Sequence, residues 1–75
     1  MEQAAQRREI EALQADVLDR ITKLSHAGLS GVDRKTLEDA RAFAKQSTQA
    51  FEASDFQRAL TLARKASLLL SALEH

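Results

Sequence analysis

The stretch AFEASDFQRAL, residues 50–60, decides the fold of this chain. Its first residues form the apolar end of one helix, and Phe56 begins a second helix that is also apolar. Between the two, Ser54 and Asp55 interrupt the apolar pattern. Asp is a preferred first residue for a helix because its carboxylate accepts a hydrogen bond from a backbone N–H of the next turn. The stretch therefore predicts the corner of an antiparallel helical hairpin.

The composition predicts a chain built from helices alone. The 75 residues include no Cys, Pro, Trp or Tyr and two Gly, and good helix formers such as Ala, Leu, Glu, Lys and Arg are abundant. A chain of this length forms one small domain, near the lower limit at which a single core is sufficient. Without cysteine, neither a disulfide framework nor a thiolate zinc site can add stability. We therefore predict a single all-α domain over residues 1–75.

The apolar periodicity predicts three helices, over about residues 3–26, 31–53 and 56–73. The first is amphipathic, because its large apolar residues recur every three or four positions. The third is apolar over most of its circumference, so we expect it to lie centrally, covered by the second helix and by either the first helix or a second chain. The predicted architecture is a three-helix bundle, in which an amphipathic helix precedes an antiparallel helical hairpin.

Two local patterns predict how the first connection is made. Gly28 is expected to end the first helix in a left-handed conformation, which costs glycine little. Ser30, followed at the third helical position by Asp33, predicts a capping box at the start of the second helix. At the other end of the chain, Leu73-Glu74-His75 is similar to the start of a vector-encoded histidine tag. We expect residues 74–75 to be a tag remnant and leave them out of functional argument.

Residues 43–66 also carry a recognisable family pattern. A small residue and an Asp precede an aromatic, an Ala follows three residues later, and another Ala follows seven residues after that: Ser54, Asp55, Phe56, Ala59 and Ala66, with Phe43 and Ser47 in the preceding helix. This pattern resembles the tetratricopeptide repeat and implies an antiparallel helical hairpin. Ser54 stands where that family usually has glycine, Ala63 where it has an aromatic, and the pattern occurs once. Tetratricopeptide arrays bind peptides in a groove built from several repeats, which a single unit lacks.

The excess of apolar side chains on the third helix predicts an interaction surface. We expect Phe43, Phe51, Phe56 and Leu60 to form the core of the hairpin corner. Leu62, Leu68 and Leu69 are the candidate seam for self-association or for a partner, because contiguous apolar patches usually have a use. The alternative is that the first helix simply covers them in a monomer. A monomer and a homo-oligomer both remain open at this point.

The sequence favours a non-enzymatic protein-interaction or oligomerisation module. No residue set supplies a nucleophile, a base and an orienting group, so we predict no catalytic, cofactor or metal site and no small-molecule substrate. The chain is also similar to helical segments of larger bacterial proteins of unassigned function, so it is open whether it is a fragment. No apolar run is long enough to predict insertion into a membrane. The cellular location is not indicated.

The alternative function is a small nucleic-acid-binding helical protein. It would use the basic residues of the second and third helices, Arg34, Arg41, Lys45, Arg58 and Arg64. A formal net charge of zero weighs against it, because proteins that bind phosphate backbones normally carry a basic excess. Acidic residues also interleave with these bases, which favours a solvated surface of mixed charge.

Overall fold

Three helices joined by two short connections make up the described chain. The computed structural model describes the backbone of residues 2–74 and the side chains of residues 4–74. The helices are α1 (Glu2–Ser25), α2 (Gly31–Glu52) and α3 (Phe56–Leu73), and no strand occurs within residues 2–74. Successive helices are antiparallel, as the residues that pack together in the core show. The bundle measures 43 × 17 × 15 Å. The predicted all-α three-helix bundle is confirmed, and each helix end lies within one residue of its predicted position.

The corner between α2 and α3 is closed by backbone hydrogen bonds. The Asp55 N–H donates to the Ala50 carbonyl at 2.8 Å, and the Ser54 N–H donates to the Phe51 carbonyl at 3.0 Å, which is the pattern of a Schellman motif. The motif needs a left-handed residue, and Ser54 supplies it with a φ of 63°. Asp55 then caps α3 as predicted, because its carboxylate accepts a hydrogen bond from the Arg58 N–H at 3.3 Å. Asp55 thus helps to end α2 through its backbone N–H and begins α3 through its carboxylate.

The connection between α1 and α2 agrees with the sequence in part. Gly28 has a φ of 66°, the left-handed conformation predicted for it. Ser30 is the N-cap residue that precedes α2, but its side chain makes no capping hydrogen bond to the described backbone, so the predicted capping box is wrong. A full box relies on Glu or Gln at the third helical position, and the shorter Asp33 does not supply that reciprocal partner. The start of α2 is held by its backbone, with the Arg34 N–H 2.8 Å from the Ser30 carbonyl.

The core consists of two neighbouring clusters of apolar side chains. The larger joins all three helices and contains Val17, Ile21, Leu37, Ala40, Ala44, Ala66 and Leu70. The smaller lies toward the hairpin corner and contains Ile10, Ala50, Ala59 and Leu62. Small residues dominate where α2 meets α3, and these two helices share the most extensive contact in the bundle. The apolar face of α3 is covered on one side by α2 and on the other by α1 of the same chain.

Candidate interaction surface

The three leucines of the predicted seam do not form one continuous surface. Leu62 is 7% exposed and belongs to the smaller core cluster. Leu69 is half-buried and packs against the larger cluster. Only Leu68 is on the surface, at 71% exposure, between polar neighbours on the outer side of α3. The prediction needs correction for Leu62, which is part of the core of this chain, whereas Leu69 is shared between the core and the surface.

The residues predicted for the hairpin core lie together at the corner. Phe43, Phe51, Phe56 and Leu60 are half-buried and pack against the smaller core cluster. The rings of Phe51 and Phe56 meet edge to face, with centroids 5.4 Å apart. The guanidinium carbon of Arg7 lies 5.9 Å from the first ring centroid and 5.8 Å from the second, a cation–π arrangement that the sequence did not predict. These contacts hold the two rings and the N-terminal part of α1 together at the corner.

A chain of hydrogen bonds passes through the middle of the bundle and joins all three helices. The Gln14 Nε2 of α1 donates to the Ser47 Oγ of α2 at 3.0 Å. The Ser47 Oγ donates to the Ala59 carbonyl of α3 at 2.7 Å. Ser47 is fully buried, and its small side chain allows α2 and α3 to approach closely at this level. Among the described side chains, every buried nitrogen or oxygen has a hydrogen-bond partner.

A second polar network joins α1 to the end of α3 through Arg20. Its guanidinium donates to Asp16 at 3.1 Å, to the Ser67 and Ser71 hydroxyls at 2.8 and 3.1 Å, and to Glu74 at 2.6 Å. The hydrogen bond from Arg20 lowers the pKa of Glu74, and the same bond raises the pKa of Arg20. Glu74 is one of the two suspected tag residues; the other, His75, lies outside the described residues. The network joins the middle of α1 to the last turns of α3.

Several apolar side chains line a cavity between α1 and α2, whereas the exposed Val32 and Leu68 lie elsewhere on the surface. The cavity has a volume of about 300 Å³ and lies close to the first connection. Its apolar lining comes from Leu24, Leu29 and Leu37, and its polar rim includes Arg34, Glu38 and Arg41. Leu24 and Leu29 are half-buried, so they offer apolar surface to the cavity as well as to the core.

The same surface continues along the two helices. A recess of about 10 Å³ lies beyond the cavity, with Leu18 and Thr48 at its exposed edge and buried side chains of all three helices behind them. Leu18 is 57% exposed. Leu18 precedes Ser25 of the cavity by seven residues on α1, and Thr48 follows Arg41 by seven residues on α2. Residues seven apart share a helix face and lie about 10 Å apart along the axis. The cavity and the recess therefore belong to one feature, which we call the α1–α2 groove.

The basic residues of the alternative function do not share one face. Arg34 and Arg41 line the cavity of the α1–α2 groove, and Lys45 follows one turn later on α2. Arg58 lines a different recess, at the corner between α2 and α3. Arg64 points toward α1, where its Nη2 lies 3.5 Å from the Glu9 carboxylate. A nucleic acid could not contact all five at once along one side of the domain.

Neither a cluster of metal-ligating side chains nor a helix able to span a membrane occurs among the described residues. No cluster of three or more His, Cys, Asp or Glu side chains is arranged to hold a metal ion in the described part of the chain. None of the described helices combines the length and the apolar character needed to cross a bilayer. His26 lies exposed just after the end of α1.

Comparisons with known proteins do not assign a relative. No family model matches the chain, and no curated protein or solved structure is significantly similar to it. The geometry of the surface is therefore the basis for a functional proposal, and the α1–α2 groove is its most distinctive feature.

Proposed function

We propose that this domain is a non-enzymatic interaction module that binds a protein partner, or a second copy of itself, in the α1–α2 groove. The observation that carries the proposal is the cavity between α1 and α2, whose leucine lining lies in line with the exposed Leu18 on α1. Leu24, Leu29 and Leu37 line its cavity, and Leu18 extends the apolar surface along α1. A single exposed leucine such as Leu68 is common on protein surfaces, whereas an apolar groove with a polar rim is typical of a binding site.

The fold suits this role because the groove has rigid walls. Its two sides are helices, which are held in position by the buried hydrogen bonds of Ser47 and by the Arg20 network. A groove between two packed helices is a common receptor for a third helix. The tetratricopeptide-like hairpin, in this proposal, acts as the scaffold on which α1 builds one wall of the groove. A single unit can then bind a partner without the array of repeats that this family uses.

Site-specific cross-linking tests the proposal. A photoreactive amino acid would replace Leu18 in the groove, and in a matched variant it would replace Thr61 on the outer side of α3. Both positions are exposed, so neither change removes a core side chain. We expect irradiation in cells that produce the protein to give a discrete product from position 18 that position 61 does not give.

The mass of the product distinguishes the two kinds of partner. A product of twice the domain mass indicates a second copy, and any other discrete mass indicates a different protein. Sedimentation equilibrium of the purified chain then measures self-association independently. Identical products from positions 18 and 61, or none from position 18, would contradict docking in the groove.

A further inference from the structure

We infer that the occupant of the α1–α2 groove is an acidic amphipathic helix. This inference rests on the proposed function and specifies the partner. Arg34 and Arg41 of α2 line the cavity, and Lys45 lies one turn beyond Arg41 on the same helix. None of the three has a carboxylate within ion-pair distance among the side chains of residues 4–74. Arg20, Lys23, Lys35 and Arg64 are each paired with an acidic side chain, whereas Arg58 and Lys65, outside the groove, also have no such partner among the same residues.

The charge of the groove is uneven although the whole chain is neutral. Two basic side chains, Arg34 and Arg41, and one acidic side chain, Glu38, line the described cavity, which leaves an excess of one positive charge. On the α1 side, the nearest acid on the same helix face as Leu18 is Glu11, seven residues earlier. The basic part of the groove therefore coincides with its apolar part. Complementary charge at the rim of an apolar site favours an acidic partner and rejects a basic one.

The spacing of the bases favours a helix as the occupant. Arg41 and Lys45 follow Arg34 by seven and eleven residues, so the three lie on one side of α2 over about 16 Å. A helix lying in the groove would present carboxylates at similar intervals to this row. Apolar residues three or four positions from those carboxylates would then reach Leu18 and Leu24.

A nucleic acid fits the same groove less well. Single-stranded nucleic acids bind by stacking their bases on aromatic side chains, and duplexes need a larger basic surface. The aromatic residues Phe43, Phe51 and Phe56 all pack at the smaller core cluster, near the hairpin corner. The groove lining offers leucines, which suit the apolar side of a helix.

Selection from a display library of helical peptides tests the inference. The library would hold peptides of about 18 residues, or five turns, with Glu and Lys encoded equally at the polar positions. We expect selection on the wild-type chain to enrich Glu or Asp at heptad spacing beside Leu, Ile or Met. A synthetic peptide of the selected sequence would then be titrated by fluorescence anisotropy.

Charge reversal provides the decisive comparison. The variant Arg41→Glu/Lys45→Glu should bind the selected peptide at least about tenfold more weakly, which corresponds to about 1.4 kcal/mol. A peptide with Lys in place of its Glu residues should recover binding to that variant. The matched control, Arg58→Glu/Arg64→Glu, changes charge by the same amount outside the groove and should bind within about twofold of wild type. Circular dichroism would verify that each variant is folded.

The remaining outcomes separate this inference from the proposed function. Selected peptides that are basic or uncharged and are weakened by Leu18→Lys overturn the acidic helix but leave docking in the groove intact. The inference and the proposed function are both overturned if the selected peptides bind Leu18→Lys and the charge-reversal variant as tightly as wild type. They are also overturned if no peptide is selected. If sedimentation shows a dimer of the wild type that Arg41→Glu/Lys45→Glu dissociates, the occupant of the groove is a second copy of this chain, and the inference of an acidic helix is overturned.

Discussion

Replacing Ser47 with Ala tests how the three helices are held together. The Ser47 hydroxyl accepts a hydrogen bond from Gln14 at 3.0 Å and donates one to the Ala59 carbonyl at 2.7 Å. Ser47→Ala removes both bonds while preserving the backbone and nearly the same volume. The Ala59 carbonyl, inside α3, can keep its helical hydrogen bond, and the half-buried Gln14 amide can turn toward water.

The expected loss follows from these two bonds. Each buried hydrogen bond contributes about 1 kcal/mol net, so deletion of both costs about 2 kcal/mol. Ala is a better helix former than Ser by about 0.5 kcal/mol, which offsets part of that loss. We therefore expect the free energy of unfolding to fall by about 1.5 kcal/mol. In a domain of this size the melting temperature should fall by roughly 6–12 °C.

The chain contains no Trp or Tyr, so unfolding is best followed by far-UV circular dichroism in urea. A double-mutant cycle with Gln14→Ala isolates the bond between the first two helices. Because both single changes break that bond, the double variant should be about 1 kcal/mol more stable than the sum of the single losses predicts. A Ser47→Ala variant as stable as wild type, or strictly additive changes, would refute a stabilising role for this chain of hydrogen bonds.

Three further predictions follow from the fold. Ile10→Ala should lower the free energy of unfolding by about 2–5 kcal/mol in urea titrations, because Ile10 is fully buried, whereas the exposed control Leu68→Ala should change it by less than about 0.5 kcal/mol. Gly28→Ala should lower the free energy of unfolding by about 1 kcal/mol because Gly28 has a φ of 66°, and Ser54→Gly should raise it by about 0.5 kcal/mol because Ser54 has a φ of 63°. A stabilising Gly28→Ala or a destabilising Ser54→Gly in thermal melts would contradict this reasoning. Because folding lowers the pKa of Glu74, its carboxylate stabilises the fold above pH 4.5, the ordinary pKa, and this stabilisation is lost as the pH falls through the lowered pKa. Glu74→Gln should therefore lose less stability in acid than the wild type does. Identical acid titrations of the two proteins would refute this prediction.

The helices and the hairpin corner could be predicted because they depend on neighbouring residues. Asp55 caps α3 through a residue three positions away, and Gly28 needs only its own backbone freedom. The sequence resemblance also placed Ser54 at a position where glycine is usual, and the structure gives that residue a left-handed backbone. The predicted capping box at Ser30 does not form, although it too depends only on neighbouring residues. The sequence pattern is compatible with a hydrogen bond from the Ser30 side chain but does not require one.

Contacts between distant residues could not be predicted in the same way. Gln14 and Ser47 are 33 positions apart, and Arg20 and Glu74 are 54 apart, so no periodicity connects them. The candidate seam depended on which helix would cover α3. Once α1 covers it, Leu62 becomes part of the core, and an apolar cavity lies on the other side of α1, in the α1–α2 groove. The sequence showed how much apolar surface exists, but the distribution of that surface depends on tertiary packing.

The most direct measurement is a map of the bound surface by nuclear magnetic resonance. Spectra of the isotopically labelled chain would be recorded with and without a bound partner, either the cross-linked protein or a selected peptide. We predict that the amide signals that shift belong to residues 18–29 of α1 and its connection and to residues 34–48 of α2. Shifts centred on the outer side of α3, around Thr61 and Leu68, with the groove unchanged, would contradict docking between α1 and α2.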